Sequence, residues 1–287
     1  MARRKSALAI LVLLVLTAGA CFAEITPWAD TWSNAVYYKT NGERNNYNSF
    51  NLRSEGKFGI KLPVGSDITL NPYVAYYGVY AINDPNYWNN QLAYGVGARV
   101  YPFLSYQGTT WANEWIPDVK FFAETLKLAF LKDETTAVAD GVKTSDTRYG
   151  ADLWHEWNLK DINMALPWNE LWANLSHRST DFSKFSKFDT FILTLQNKFG
   201  VHMGGGVRPY LATYLTYTAD RSEPWYNSFY YGVGGRVEPF REQKDSPELL
   251  RKFKMFVEVL GIAWLKDVDP TRPNNDFRFG IDFTYGR

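Results

Sequence analysis

The side chains that could do chemistry in this chain are charged groups set among aromatic rings at strand-like spacing. Arg53, Glu55 and Lys57 stand two residues apart, and Arg278 and Asp282 four apart across Gly280, so each set projects from one face of an extended strand. Arg99, Glu124, Arg148, Asp152, Lys198, Arg208, Arg236 and Glu258 fall on the same kind of face, and Tyr73, Tyr77, Tyr210 and Tyr214 accompany them. Groups of both signs on one face either draw a charged solute or pair with one another. Tyrosine rings beside them are the residues that stack on sugar faces. Catalytic chemistry is poorly supplied. His155, His177 and His202 lie on separate segments without the spacing that holds a metal, and no cofactor motif is present. His177 near Ser179 is the single local pair that a lipid hydrolase could use, so an enzyme is the minor expectation. Asp84-Pro85-Asn86, and Asp220 with Glu223, read as turns rather than calcium loops.

The elements that must position these groups are amphipathic strands. From Phe277 to Tyr285, Phe277, Phe279, Ile281, Phe283 and Tyr285 alternate with Arg278, Gly280, Asp282 and Thr284, a strict period of two. At the other end, Arg3, Arg4 and Lys5 precede an apolar run from Ala7 to Leu16 and small residues at Ala18, Gly19, Ala20 and Ala23, the build of a signal peptide over 1–23. Cleavage after Cys21-Phe22-Ala23 competes with a lipoprotein-like box at Ala18 to Cys21. The first is adopted, because a membrane-spanning barrel needs no lipid anchor. The one cysteine, Cys21, then leaves with the signal, so disulfides and thiolate sites drop out. With 31 basic and 30 acidic residues in the whole chain, nothing points to nucleic acid. Aromatics make up 17% of the chain, the load expected of membrane interfaces.

The chain is written twice. Trp32-Ser33-Asn34 returns as Trp172-Ala173-Asn174, Pro72-Tyr73 as Pro209-Tyr210, and the run from Tyr94 to Phe103 as that from Tyr231 to Phe240. Glu124 with Leu131-Lys132-Asp133 returns as Glu258 with Leu265-Lys266-Asp267, and Arg148-Tyr149-Gly150 as Arg278-Phe279-Gly280. Six strands per copy, with halves at about 31–158 and 168–287, predict an all-β antiparallel transmembrane barrel of about 12 strands over 24–287. The facing follows from the alternation. Tyr94, Val96, Tyr231 and Val233 point to lipid; Gly95, Gly97, Arg99, Gly232, Gly234 and Arg236 point inward, and the glycines are expected to leave lumen volume open. Lys120 to Phe130 resists this scheme. Its inward set includes Phe122, Leu126, Leu128 and Phe130, and Lys127 falls outward, so either a bulge shifts the register or that wall packs against something inside. The loop from Arg241 to Arg251 is expected to hold a short helix at Ser246 to Leu250. A soluble β-sandwich would also alternate, but would bury the apolar face.

The stretch from Arg278 to Tyr285, with Gly280, Phe283 and Tyr285 at its key positions, resembles the C-terminal assembly signal of outer-membrane β-barrels. The repeated unit resembles the barrel repeats of phage-adsorption receptors and exopolysaccharide-export porins. These resemblances imply a cell outer-membrane location in a Gram-negative envelope, with membrane lipid and the barrel-assembly machinery as partners. They also suggest a tie to polysaccharide. Two functions are then expected. In one, the barrel is a narrow porin-like channel for small polar solutes or oligosaccharides. In the other, the arginines pair with Glu55, Glu124, Asp152, Glu238, Glu258 and Asp282 and close a structural or surface-receptor barrel.

Overall fold

The computed structural model describes residues 25–40, 48–64, 68–108, 112–139, 144–158, 166–181, 187–219, 226–241, 243, 245–266 and 272–286. The signal segment and the pair Asp220 and Glu223 lie outside them. Twelve strands follow in order: β1 (Thr26–Thr40), β2 (Ser49–Pro63), β3 (Thr69–Ala81), β4 (Asn90–Tyr101), β5 (Lys120–Phe130), β6 (Ser145–Asn158), β7 (Leu166–Asp181), β8 (Lys187–His202), β9 (Val207–Tyr217), β10 (Ser228–Val237), β11 (Phe253–Trp264) and β12 (Asn275–Tyr285). Each pairs antiparallel with its sequence neighbour, and β1 pairs with β12 to close the cylinder. Closure leaves no edge strand, so ladder groups find partners within the sheet wherever neighbouring strands overlap, and only overhangs such as β6 beyond Asp152 and β8 before Leu193 are paired on one side alone.

The alternation sorts as the sequence requires. Val96, Val233, Val74 and Leu211 are 55–61% exposed on the outer wall, and Phe277, Phe279, Ile281 and Tyr285 join them from the last strand. Arg99, Glu124, Arg236 and Glu258, one residue out of phase, are 1–3% exposed on the inside. A soluble protein would not leave so many large apolar side chains facing out; a barrel in a bilayer must. The strand β5 keeps an unbroken register with both β4 and β6, so no bulge shifts it. Its inward leucines are accommodated by packing: Leu126 and Leu128 join Tyr73, Ala75 and Ala93 in a small apolar core against the inner wall. Lys127 accordingly faces out. Trp168, Tyr210, Ala212 and Leu260 form a second such core.

The connections carry little regular structure. Gly204, Gly205 and Gly206 all take positive φ in the tight β8–β9 turn, a conformation closed to most side chains. Glu248–Arg251 forms the short helix expected after Ser246 and Pro247, and Glu134–Ala139 forms another in the β5–β6 connection. Asp84 organises the β3–β4 turn, its carboxylate accepting from the Asn86 amide, the Asn86 side chain and the Asn89 side chain. It is a turn, as the sequence suggested.

Candidate functional site in the barrel lumen

At mid-height, each half of the inner wall carries the same arrangement around a buried glutamate. Glu124 on β5 accepts hydrogen bonds from the hydroxyls of Tyr73 (2.7 Å) and Tyr77 (2.6 Å), and Lys57 lies 3.4 Å away. Glu258 on β11 accepts from Tyr210 (2.9 Å) and Tyr214 (2.5 Å), with Lys198 at 3.5 Å. The neighbouring glycines make this geometry possible. Gly97 pairs across the ladders with both Tyr73 and Glu124, and Gly234 with both Tyr210 and Glu258. A methyl group at Gly97 would come within 2.9 Å of the Tyr73 ring and of the Glu124 stem, and at Gly234 within 2.7 Å of the Tyr210 ring. The volume these two glycines spare is therefore taken up by tyrosine and glutamate, contrary to the expectation that it stays open.

Cations are threaded between the tyrosine rings. Along one wall Arg99 lies over Tyr73 (5.4 Å), Lys57 over Tyr73 (5.7 Å) and Tyr77 (5.4 Å), and Arg148 over Tyr77 (4.8 Å). Along the other, Lys198 lies over Tyr210 (5.3 Å) and Tyr214 (6.0 Å), and Arg278 over Tyr214 (5.1 Å), Tyr230 (5.0 Å) and Tyr38 (5.3 Å). The ring quadrupole attracts each cation. All four tyrosines expected to stack on sugar thus have their hydroxyls committed to glutamate and their faces shared with cations; Tyr73 and Tyr210 are also buried.

At the end where β1 begins and β12 finishes, the near end, Arg99 pairs with Asp30 (3.0 Å) beneath Trp28. The matching Arg236 pairs with Glu170 (2.7 Å) over the ring of Trp168 (4.0 Å). Here the second half adds more. Arg208 contacts Glu156 (3.0 Å) and Glu238 (3.1 Å), Arg236 reaches Glu238 (2.9 Å), and Arg241 and Lys254 complete the group at the rim. At the far end, Arg148 pairs with Asp146 (2.5 Å) and Arg278 with Asp276 (2.6 Å). Two further contacts join the halves: the Trp172 indole donates to Asp152 (2.7 Å), which also pairs with Lys120 (3.1 Å), and the Trp32 indole donates to Asp282 (3.1 Å).

The lumenal set named from sequence is therefore brought to one interior, but with other partners. Arg99, Arg148 and Arg278 pair most closely with Asp30, Asp146 and Asp276 instead of the expected Glu55, Glu124, Asp152, Glu258 and Asp282; Arg278 approaches Glu258 only at 3.9 Å. Glu55 is half-buried, and Arg53 is exposed, with Tyr38 5.7 Å away. Asp146 and Asp276 stand two residues before their arginines, a same-face spacing visible in Asp146-Thr147-Arg148 and Asp276-Phe277-Arg278. The histidines stay apart. His155 faces Asp118 (2.6 Å) beside Trp157, and His202 lies inside near Trp168. His177 stacks on Tyr149 with Nε2 3.5 Å from Asp189, on the outer wall.

The closed twelve-stranded cylinder, apolar outside and charged within, has the architecture of an outer-membrane β-barrel. Its place is the outer membrane. No family model and no curated protein matches the chain. Among solved structures, the chain is similar to the β-domain of the Bordetella autotransporter BrkA, at 12% identity and a TM-score of 0.35 over 92% of this chain and 100% of that one. It is also similar to OpdK, an outer-membrane protein of Pseudomonas aeruginosa (8%, 0.31, 91% and 99%), and to the translocator domain of the Neisseria meningitidis autotransporter NalP (9%, 0.28, 99% and 97%).

Proposed function

We propose that the barrel is a narrow channel that favours small anions over sugars. The observation that carries this reading is which charges still meet water. The central and far-end acids, Glu124, Glu258, Asp146 and Asp276, have side chains only 0–4% exposed, whereas their partners Lys57, Lys198, Arg148 and Arg278 keep 15–16%. Acids lie in the wall and cations line the space it encloses, so the field along the axis is positive where a solute passes. The engaged tyrosines argue against sugar stacking. Reconstituted in a planar bilayer, the protein is expected to give single-channel steps with anion preference. Replacing Lys57 and Lys198 together with Gln lowers that preference in a barrel that keeps its heat-modifiable mobility. Unchanged selectivity in the double variant rejects the reading.

One observation favours a closed, structural barrel: Gly97 and Gly234 give their space to Tyr73, Tyr210, Glu124 and Glu258, and the inner wall carries two packed apolar cores. Silence of the folded protein in the bilayer supports this second reading. In either case β12 is the strand expected to engage the assembly machinery, and Phe283→Ser with Tyr285→Ser is expected to block insertion.

A further inference from the structure

The outer wall is not equally apolar all round. Matching ladders make the two sides comparable position by position. Val96 pairs with Thr125 and Thr125 with Thr147, while Val233 pairs with Val259 and Val259 with Phe277. One step nearer the far end, Lys127 pairs with Tyr94 and Ser145 where Gly261 pairs with Tyr231 and Asn275. On one side the lipid-facing positions are therefore Val259, Gly261 and Phe277; on the other, Thr125, Lys127 and Thr147, all exposed. Tyr94, directly across the ladder from Lys127, and Tyr149, two residues beyond Thr147, are 47% and 48% exposed on the same outer face. Among the described residues no carboxylate pairs with Lys127.

A lysine on the lipid face costs about 2–4 kcal/mol at the bilayer midplane and about 0–1 kcal/mol near the interface. Three residues from the end of β5, Lys127 is within reach of the head-group layer by extending its stem along the wall. There it needs a counter-anion, and the hydroxyls of Thr125 and Thr147 supply donors on the same face. We propose that this patch binds the phosphate of an anionic membrane lipid in the leaflet at the far end, with Lys127 as the charge partner. The site lies on the outside of the wall and stands whether or not the lumen conducts.

The test uses the full mature barrel, extracted and exchanged into mixed phosphatidylglycerol and phosphatidylcholine, with retained lipids counted by native mass spectrometry. Wild type is expected to keep phosphatidylglycerol selectively, Lys127→Gln to bind it about tenfold less, and Lys127→Arg to retain it. Thr147→Val, which leaves the charge in place, is expected to weaken retention without abolishing it. Heat-modifiable mobility of each variant establishes folding. Equal retention by wild type and Lys127→Gln overturns the proposal, as does a lack of preference for the anionic lipid in wild type. A dimer that Lys127→Gln dissociates overturns it too, by assigning the patch to a second copy of the chain.

Discussion

The two halves of the barrel agree at mid-height and at the far end, and part company at the near end of the lumen. In the half β1–β6, Asn71 and Tyr101 stand beside Arg99; in the half β7–β12 their counterparts are Arg208 and Glu238 beside Arg236. One copy holds two neutral residues where the other holds an ion pair, with Arg208 at 0% and Glu238 at 2% side-chain exposure. A buried guanidinium without a carboxylate is too costly to keep, so the charges differ between the two halves as a pair. At mid-height no such exchange has happened. Glu124 and Glu258 each satisfy two tyrosines and a lysine, so losing either glutamate strands all three of its partners.

The largest expected effect tests the part that agrees. Glu124→Ala and Glu258→Ala each leave a half-buried lysine and two tyrosine hydroxyls without their common acceptor, and each should cost about 2–4 kcal/mol. The measurement is the urea midpoint of the folded, fast-migrating band in detergent. Equal losses mark the two arrangements as equivalent; a loss confined to one removes the equivalence.

Much of this was legible beforehand, and the limits have physical causes. Alternation of apolar and polar residues predicts the strands, their facing and the closed sheet, because side-chain period and sheet geometry are the same fact. It also identifies Glu124, Glu258, Arg99 and Arg236 as inward. It does not choose partners. Arg99 meets Asp30, which lies 69 positions away and just before the first half as expected from about residue 31. Asp146 lies in β6, but the polar stretch before Thr147 has no apolar alternation to mark a strand there. Glu170 belonged to an expected strand, but its partner Arg236 comes from across the interior, 66 positions on. Open volume at glycine was misjudged because a missing side chain does not show which neighbour fills the space.

A second prediction addresses the part that differs. Glu238→Tyr, the residue found at position 101, removes a buried carboxylate from Arg208 and Arg236 and is expected to cost about 3 kcal/mol. Adding Arg208→Asn, the residue found at position 71, should recover about 1–2 kcal/mol of that loss, read as the coupling term of a double-mutant cycle. Additive losses would mean that the near-end charges do not act as a pair.

Smaller effects are expected from Gly97→Ala and Gly234→Ala, which overpack the central layer by about 1–3 kcal/mol. The Gly97 change is the sharper of the two, since its methyl group would meet the backbone oxygen of Ala123 at 2.8 Å, whereas at Gly234 the nearest atoms belong to the Tyr210 ring at 2.7 Å, a side chain that can shift. A shift of both midpoints in the same direction, with Gly97→Ala the larger, supports a tyrosine-filled layer. Stabilisation by either would restore the open-volume expectation.

The smallest effect belongs to the far rim, where the halves agree again. Lys132 donates to the carbonyls of Ala81 (2.7 Å), Ile82 (3.0 Å) and Asp84 (3.3 Å), with the Tyr80 ring 4.4 Å from its ammonium. Lys266 donates to Thr218 (2.7 Å) and Ala219 (2.8 Å), 5.1 Å from the ring of Tyr217. Each ammonium gathers carbonyls left over where a strand ends, the task of a capping group, and joins two loops that the sheet does not pair. Lys132→Met keeps the stem and removes the donors. Water reaches this half-buried rim and takes over part of the bonding, so the expected cost is about 1–2 kcal/mol, with little change in the global midpoint. The loss is local and is read by amide hydrogen exchange at Ile82 to Asn90, faster in Lys132→Met. Lys266→Met should likewise speed exchange around Thr218, because it too frees carbonyls where a strand ends. Arginine should not replace lysine at either site, since a planar guanidinium cannot direct its donors to carbonyls converging on a point. Unchanged exchange in both methionine variants would mean that the loops hold their shape through Asn90 and Asn227 alone, whose side chains accept from the amides of Ala81 and Thr218.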